Sequence, residues 1–410
     1  MEISEERLAE NYRVLAQAAG DEVAVLAVVK ADAYGHGAEL CAPVLAQAGA
    51  PWLGVTDAQE GVTVRGALKL AIPSSQQPKV LVMSGLLADE AGAMSAWDLT
   101  PVVWTIEQME WLRRAVESRG PGERLDVHFE IDTGMTRQGA VPGAELDRVL
   151  GWLAAQRTLR LDGVMTHFAS AEVAGSHLTL EQQQRFEQAM AQVRARRLRP
   201  QWVHAGNSST IDNSAEDAHA DAVNASASSS RLPWLRRIAA EAGARPMVRT
   251  GLGLYGYCLP IEQEEDFLGA AAAQVRSRLR PVMTWKTCVI GVREVPAGTR
   301  IGYNGTFTAQ QPMRLALLPI GYADGLRREL SSTNDRPGGW VIIAGRCASI
   351  LGRVSMNLTV VDVTEIPEAA VGSEAVVLGE GVTADDHARI AGTIPYEILC
   401  GLRAFHALRP

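Results

Sequence analysis

One segment constrains the fold more than any other: an apolar run, Ala24–Val29, that ends in Lys30 and is followed at once by the polar, glycine-rich turn Ala31–Gly37. The run does not alternate between apolar and polar residues, which is typical of a strand buried on both faces of a parallel sheet. A lysine at the carboxyl end of such a strand stands where α/β folds build their active sites. By itself, the spacing is equally that of a solvent-facing lysine at a strand end, so the rest of the chain must decide.

Strand-like and helix-like segments alternate through the first half of the chain. Helical periodicity extends over Ser4–Ala19, Ala38–Ala48, Ile106–Ser118, Gly143–Ala155 and Leu180–Arg196. Strands are predicted at Trp52–Val55, Lys79–Met83, Pro101–Trp104, Asp126–Asp132, Leu161–Thr166, Trp202–His204 and Pro246–Arg249. So many consecutive strand–helix units favour an α/β fold with a closed (β/α)8 TIM barrel over an open sheet.

Two breaks in this rhythm predict the domain organisation. Ile211–Ser230 is rich in Ala, Ser, Asp and Asn and has little to bury, so we expect a surface insertion near 211–245. Beyond about Gly269, short β-like segments separated by turns replace the helices. The sequence therefore predicts a barrel over residues 1–268 and a mostly β carboxyl-terminal domain over 269–410.

Composition narrows the possible partners and compartments. The net charge of −8 argues against a general nucleic-acid or anionic-membrane surface. Five scattered cysteines without a C-x-x-C pair suit a reducing compartment and give no zinc signal. The polar, acidic start predicts no secretory signal, and no apolar run approaches membrane-spanning length. We therefore expect a cytoplasmic protein.

Polar residues follow several predicted strands, where a barrel gathers its active site. They are Lys30, Tyr34, Asp132–Arg137, His167, Asn207–Ser209 and Arg249–Gly253. Glycines near Ser208 and Gly251 would let backbone N–H groups approach a phosphate. Together these strand ends predict a site that binds an anion and a carbonyl compound linked to lysine.

Two other kinds of site are disfavoured. His128, Glu130 and Asp132 lie on one face of a strand and could be read as metal ligands, but strand spacing alone does not make a coordination shell. No metal is predicted. Neither G-x-G-x-x-G nor a P-loop occurs, which argues against a dinucleotide or P-loop site.

Motifs in both predicted domains resemble those of alanine racemases, in the order in which that family has them. They are Val28–Gly37, Asp132–Arg137, Thr166–Ala169, His204–Ser209, Val248–Gly256, Gly302–Phe307, Ile320–Gly325 and Gly352–Met356. The Val28–Gly37 segment resembles the family's attachment segment for pyridoxal 5′-phosphate (PLP). These matches extend over nearly the whole chain, and jointly they are very specific.

The resemblance implies a two-base mechanism. Lys30 would hold PLP as a Schiff base and serve one face of the substrate Cα, and Tyr303 from the other subunit would serve the opposite face. His167 would hydrogen-bond Tyr303. Arg249 would face the pyridine nitrogen, where a guanidinium can only donate a hydrogen bond.

The remaining site residues are also implied by the resemblance. The cofactor-binding groups would be Tyr34, Asn207, Ser208, Gly251 and Leu252, and the substrate carboxylate would be held by Arg137 and the backbone of Met356. Tyr303 and Met356 would reach across a homodimer with shared sites. Tyr34 and Tyr322 could instead be ordinary packing residues.

The function implied is interconversion of L- and D-alanine, supplying D-alanine for peptidoglycan. The alternatives are a serine or broad-specificity racemase of the same fold, a related barrel decarboxylase, and a non-catalytic PLP-binding protein. A decarboxylase would place a carboxylate, not Arg249, at the cofactor nitrogen. A PLP carrier would tend to be a barrel alone.

The chain departs from the family pattern at several positions. Glu130 stands where many members have a carbamylated lysine, and we hypothesise that it pairs with Arg137. Other departures are Ser355 and Asn357 in place of Cys and Asp, and Ala404 or Phe405 in place of a tyrosine, which would loosen the pocket. The family usually has a strand before the first helix. Because this chain begins late, we expect either that its second domain lacks that edge strand or that the start codon is misassigned.

Overall fold

The computed structural model describes residues 1–213, 231–265 and 273–403. It divides into two compact units. The barrel unit contains Glu5–Ala33 and Gly37–Arg280, and the β unit contains Met1–Ser4, Tyr34–His36 and the chain from Pro281 onward. The predicted boundary at 268–269 falls outside the described residues and stays a prediction.

The strands of the described residues are, in chain order, β1 (Glu2–Ile3), β2 (Ala24–Val28), β3 (Trp52–Val55), β4 (Lys79–Val82), β5 (Leu99–Val103), β6 (Leu125–Glu130), β7 (Leu159–Met165), β8 (Val173–Ala174), β9 (Trp202–His204), β10 (Arg245–Thr250), β11 (Glu262–Gln263), β12 (Met283–Cys288), β13 (Gly291–Val295), β14 (Arg300–Ile301), β15 (Phe307–Thr308), β16 (Met313–Leu318), β17 (Trp340–Ile343), β18 (Arg346–Ser349), β19 (Thr359–Asp362) and β20 (Glu374–Leu378).

The helices are α1 (Glu5–Ala19), α2 (Lys30–Gly35), α3 (Ala38–Gln47), α4 (Ala58–Ala71), α5 (Ala91–Ala96), α6 (Ile106–Glu117), α7 (Ala144–Ala154), α8 (His177–Ala195), α9 (Ser208–Asp212), α10 (Arg231–Glu241), α11 (Ala384–Ala391) and α12 (Pro395–Cys400). Short 3₁₀ turns include Leu252–Tyr255, Tyr303–Gly305 and Tyr322–Asp324. Across the described ranges, no helix is long and apolar enough to span a membrane.

The barrel unit is a closed ring of parallel strands in the order β10-β2-β3-β4-β5-β6-β7-β9. This confirms the predicted (β/α)8 architecture. Side-chain caps set where the helices begin: Asp57 accepts from the N–H of Glu60 at α4, and Thr105 forms a capping box with Gln108 at α6. Both caps lie just after a strand, so β3 and β5 end close to the start of the next helix.

The chain around the predicted insertion is described only at its flanks, and residues 214–230 lie outside the described residues. On one side, α9 ends at Asp212. On the other side, α10 buries Trp234, Leu235 and Ile238, and β10 closes the barrel. Residues 231–250 therefore continue the strand–helix rhythm of the barrel.

The β unit is mostly strand, as the sequence predicts. One sheet has the order β1-β12-β20-β17-β18, a second has the order β13-β16-β19, and β14 pairs with β15. The prediction of a missing edge strand is wrong, because Glu2 and Ile3 pair with Thr284 and Met283 at the edge of the first sheet. Two residues are enough for this pairing, and they are too few to produce a periodic signal. Near the carboxyl end, α11 and α12 add helices that the sequence analysis did not predict.

A buried arginine ties the barrel unit together at the amino ends of two strands. Arg65 on α4 is 3% exposed, and it donates to the carbonyl oxygens of Pro78 (3.0 Å), Trp97 (3.2 Å) and Asp98 (2.7 Å). These carbonyls immediately precede β4 and β5. One guanidinium therefore satisfies three carbonyls where α4 meets the sheet.

We expect Arg65→Met to lower the free energy of unfolding by about 3 kcal/mol, because it leaves three carbonyls without a charged donor. Equilibrium urea unfolding followed by tryptophan fluorescence measures this. Arg114→Met is the control, since Arg114 is 71% exposed and its replacement should change the free energy by less than about 0.5 kcal/mol. Equal losses in the two variants would contradict the role of Arg65.

Candidate functional site

The segment after β2 is a turn of left-handed helix, which is rare for residues other than glycine. Ala31, Asp32, Ala33 and Tyr34 have φ values of 51°, 51°, 53° and 55°. This conformation costs about 1–2 kcal/mol per residue, so the surroundings must hold it. The backbone therefore leaves the strand at Lys30 in a fixed, strained direction.

Two carboxylates hold this turn within the barrel unit. Glu60 accepts from the N–H of Ala31 and the N–H of Thr56, both at 2.7 Å. Asp32 accepts from the N–H of Ala38 at 2.7 Å. The role of Glu60 was not predicted, because the sequence marks this residue only as part of the start of a helix. Its contacts fix the main chain that carries Lys30.

Arg249, at the carboxyl end of β10, is a buried cation surrounded by acceptors. Its guanidinium donates to the Thr166 carbonyl at 2.8 Å and approaches Nδ1 of His167 at 3.2 Å and Nδ1 of His204 at 3.0 Å. Burial lowers the pKa of Arg249 to about 10, while Glu130 opposes this shift. Arg249 therefore stays protonated near neutral pH, and any further contact that it makes is as a donor.

His167 is neutral and its tautomer is determined. Burial, and then the charges of Arg249, Arg137 and Lys30, lower the pKa of His167 to about 3. Since Arg249 can only donate, Nδ1 of His167 must accept and the ring proton lies on Nε2. His167 can therefore orient another group through Nε2–H, but it is a poor base.

The loops after β9 and β10 form a cradle of backbone N–H groups. The Ser208 hydroxyl accepts from the N–H groups of Gly251 and Gly253, both at 3.1 Å, and shares a hydrogen bond with Thr250 at 2.9 Å. The fully buried Leu252 has an N–H that donates to no group in the described part of the chain. A buried, unpaired N–H at the start of a helical turn suits an anion such as a phosphate.

Asn207 acts within this cradle as a helix cap. Its side chain accepts from the N–H of Thr210 at 3.3 Å, and its own N–H donates to the Thr210 hydroxyl at 3.1 Å. The preceding Gly206 has φ +81°, and a Cβ there would lie 2.5 Å from the Thr210 hydroxyl oxygen. Asn207 thus shapes the loop that presents Ser208.

The ion pair expected between Glu130 and Arg137 is not formed. The buried Glu130 carboxylate instead accepts from the amide of Gln138, which also donates to the Met83 carbonyl at 2.8 Å. Arg137 is exposed. Burial raises the pKa of Glu130. The hydrogen bond from Gln138 and the charges of Arg249 and Arg137 oppose that shift. The expected pair is replaced because the neighbouring Gln138 amide occupies the carboxylate, while Arg137 acts on it only through its charge.

The row of possible metal ligands on β6 is divided among other partners. His128 bonds to His204 at 2.9 Å, and Asp132 accepts from the N–H groups of Gly134 and Thr136 at 2.9 and 3.0 Å. Within the described ranges, no group of His, Cys, Asp and Glu side chains could hold a metal ion.

The other predicted site residues belong to the β unit. Tyr303 and Met356 are 67% and 56% exposed, which is high for large apolar side chains. The Tyr322 N–H and the Ala323 N–H donate to the carbonyls of Ser355 and Met356, at 3.0 and 2.9 Å. Tyr34 is buried with its ring centroid 5.7 Å from that of Tyr396, and burial raises its pKa.

The structure thus brings together, at the carboxyl ends of the barrel strands, the side chains of His167 and Arg249 and the Ser208–Leu252 cradle, with the charge of Lys30 acting on His167. Tyr303 and Met356 are exposed residues of the β unit.

Comparisons with known proteins agree with this geometry. Residues 3–225 match the model of the alanine racemase amino-terminal domain, and residues 282–407 match that of the alanine racemase carboxyl-terminal domain. An alanine racemase of Halothermothrix orenii is 33% identical over 96% of this chain and 91% of its own length. The crystallised alanine racemase of Streptomyces coelicolor superposes with a TM-score of 0.81 at 32% identity, over 98% of this chain and 95% of that one.

A third relative, from Bartonella henselae, is described as an alanine racemase with covalently bound pyridoxal phosphate. At 24% identity and a TM-score of 0.76, over 98% of this chain and 96% of that one, it shows the shared fold. The two family models together extend over most of the sequence. The chain belongs to the alanine racemase family.

Proposed function

We propose that this protein interconverts L- and D-alanine with PLP bound at Lys30. The observation that carries the proposal is Arg249, a buried guanidinium that is fixed as a donor beside neutral His167, in a barrel whose first strand, β2, ends two residues before Lys30. A donor at that place suits the pyridine nitrogen of PLP, whereas a decarboxylase of this fold would need a carboxylate there.

The residues present fit the cofactor. Lys30 would hold its aldehyde carbon, and the Ser208 hydroxyl with the Leu252 N–H would hold its phosphate. Tyr34 and Asn207 are proposed to complete the phosphate site, with Gly251 positioned through Ser208. When bound, PLP withdraws electrons from the substrate Cα, and a nitrogen that only accepts a hydrogen bond makes that withdrawal moderate. The Bartonella henselae enzyme of the same fold is described with covalently bound pyridoxal phosphate, which supports the choice of cofactor.

Racemisation needs a base on each face of Cα, and the barrel unit offers one of them. Lys30 can take or return a proton on its own side. His167 cannot serve as the second base, because its pKa lies near 3 and its Nδ1 already accepts from Arg249. We assign the second base to Tyr303, whose phenol is 67% exposed on the β unit. His167 would orient that phenol through Nε2–H.

The proposal includes a homodimer in which Tyr303 and Met356 of one copy complete the site of the other. The exposed Met356 segment would present its backbone to the substrate carboxylate, together with Arg137. Alanine is the substrate named for the relatives. Ala404 and Phe405, which bear on how strictly alanine is preferred, lie outside the described residues. A cytoplasmic supply of D-alanine for peptidoglycan is the proposed role.

We expect the purified protein with PLP to convert L-alanine to D-alanine in D₂O with deuterium at Cα. Lys30→Ala should abolish both, because it removes the attachment point and one base. Borohydride followed by peptide mapping should fix PLP to Lys30. The control is Lys69→Ala, since the Lys69 ammonium lies against the Trp97 ring, 4.5 Å from its centroid, and is not assigned to the site.

Deuterium and D-enantiomer from serine or other amino acids at rates equal to those for alanine would instead indicate a broad-specificity racemase. PLP binding without Cα exchange in any amino acid would indicate a carrier. PLP fixed to another lysine would contradict the assignment of Lys30.

A second test addresses the shared site. Tyr303→Phe should lower kcat by about 10²–10⁴-fold, because it removes a proton donor and acceptor. Lys30→Ala and Tyr303→Phe chains carrying different tags can be co-expressed and the heterodimer purified. If Tyr303 serves the partner's site, one of the two sites is intact, and the heterodimer should have about half of the wild-type activity. An inactive heterodimer would show that Tyr303 acts within its own chain, and a fully active Tyr303→Phe homodimer would show that Tyr303 takes no part.

A further inference from the structure

A row of buried polar side chains continues from Arg249 into the barrel, beyond anything that the proposed reaction uses. Nδ1 of His204 lies 3.0 Å from the Arg249 guanidinium, and its Nε2 lies 2.9 Å from Nδ1 of His128. Nε2 of His128 lies 3.5 Å from the Asp162 carboxylate. His128, His204 and Asp162 are each 0% exposed, so the row is shielded from water.

The row lies inside the barrel and not on its outer surface. The Trp52 ring on β3 lies 4.9 Å from the His128 ring on β6, and β4 and β5 separate these two strands in the barrel. The two rings can meet only across the interior. The row therefore extends from the carboxyl ends of the strands, where Arg249 lies, toward their amino ends.

The hydrogen bonds along the row all run in one direction, from Arg249 as the first donor toward Asp162. Arg249 can only donate, so Nδ1 of His204 accepts and the proton of that ring lies on Nε2. His204 then donates to Nδ1 of His128, whose proton lies on Nε2 and faces Asp162. Burial lowers the pKa of both histidines, so both are neutral. An ionised carboxylate, which only accepts, is the matching group at the far end.

The backbone is built to bring Asp162 to this place. On β6 and β7, Val127 pairs with Leu161 but His128 pairs with Gly163, so Asp162 is the extra residue of a β-bulge. A bulge redirects a side chain, and it is common beside functional sites. At Gly163 a Cβ would lie 2.6 Å from the His128 ring. The Asp162–Gly163 pair thus supplies both the carboxylate and the space for the histidine.

Asp162 is not needed as a hydrogen-bond partner for its other neighbours. Neither of its carboxylate oxygens has a hydrogen-bond partner within the described residues, and the same holds for Nε2 of His128, so these unpaired groups face each other at 3.5 Å. Its nearest cations are Lys79 at 3.6 Å and Arg160 at 3.8 Å, and both of these also bond to Asp126, at 3.1 and 2.6 Å. A fully buried carboxylate is costly, so a structural role alone would be served as well by an apolar side chain.

We propose that Asp162 is a positioning residue for Arg249. Acting through His128 and His204, it fixes the direction of the row and so holds the guanidinium as a donor toward the site. If the end group could donate, His128 could reverse, and then a proton on Nδ1 of His204 would oppose the Arg249 N–H. The guanidinium would lose that acceptor and turn. The link to a cofactor nitrogen rests on the proposed function, whereas the direction of the row does not.

The first measurement uses the wild-type full-length chain, labelled with ¹⁵N-histidine and observed by long-range ¹H–¹⁵N spectra without and with PLP. His128→Gln and His204→Gln assign the signals. We expect both rings to be neutral, with the proton on Nε2. A proton on Nδ1 of His204 in the wild-type protein would overturn the proposal, even if every Asp162 variant failed to fold.

The second measurement compares Asp162→Asn with Asp126→Asn. The first replaces an acceptor by a group of the same shape that can donate, and the second changes a carboxylate that bonds the same two cations outside the row. Asp162→Asn should move the His128 proton to Nδ1, shift the absorption maximum of bound PLP and lower kcat by about 10–100-fold. Asp126→Asn should leave all three unchanged.

Unchanged histidine tautomers in folded Asp162→Asn would contradict the positioning role, whatever its activity. Equal effects of Asp126→Asn would also contradict it, because they would trace the effect to general charge at the strand ends. A wild-type chain that binds no PLP would contradict the proposed function instead, so the two failures are distinguishable.

Discussion

The buried guanidinium of Arg249 is the interaction on which the rest of the site depends. A fully desolvated cation must be satisfied, and here its partners are a carbonyl and two histidine nitrogens, with the charge of Glu130 acting from a distance. None of the three hydrogen-bond acceptors is a carboxylate. The charge is therefore directed by dipoles without being neutralised by a close ion pair, and the guanidinium keeps a donor for one more group. The neutrality of His167 and His204 follows from this arrangement, since a protonated ring beside Arg249 would repel it.

The strained turn after β2 is likewise held by hydrogen bonds from its surroundings. Four successive residues in the left-handed region would not persist in an isolated peptide, because the strain exceeds the energy of a few exposed hydrogen bonds. Glu60 accepts two N–H groups from different strand ends, and Asp32 closes the far side of the turn. The helix that follows β3 therefore determines the direction in which the chain leaves β2. Lys30 is placed by a neighbour in the barrel and not by its own sequence context.

Strands and helices were predictable where a local pattern specifies them. The apolar runs of β2 and β3, and the helical periodicity of α6, gave these elements nearly correct bounds. Residues whose partners lie elsewhere in the fold were less predictable. β1 is defined by pairing with β12, the bulge at Asp162 by the register of two strands, and the partner of Glu130 by the position of the Gln138 amide. Each depends on a contact that the sequence does not display, and all three produced wrong or missing expectations.

The protonation states of the site's groups determine which of them can transfer a proton. Burial and neighbouring cations lower the pKa of His167 to about 3, so this ring is neutral near neutral pH and serves as a fixed dipole and not as a proton carrier. Arg249 is also fixed, but in its protonated and positively charged form. With Lys30 as the proposed base of the barrel site, chemistry on both faces of one carbon would require a second mobile proton from outside the barrel unit. An exposed phenol such as Tyr303 meets that requirement, because its apolar body favours burial by a partner and its hydroxyl still needs a hydrogen bond. The proposed homodimer would therefore supply the second mobile proton, which His167 and Arg249, with their fixed protonation states, do not provide.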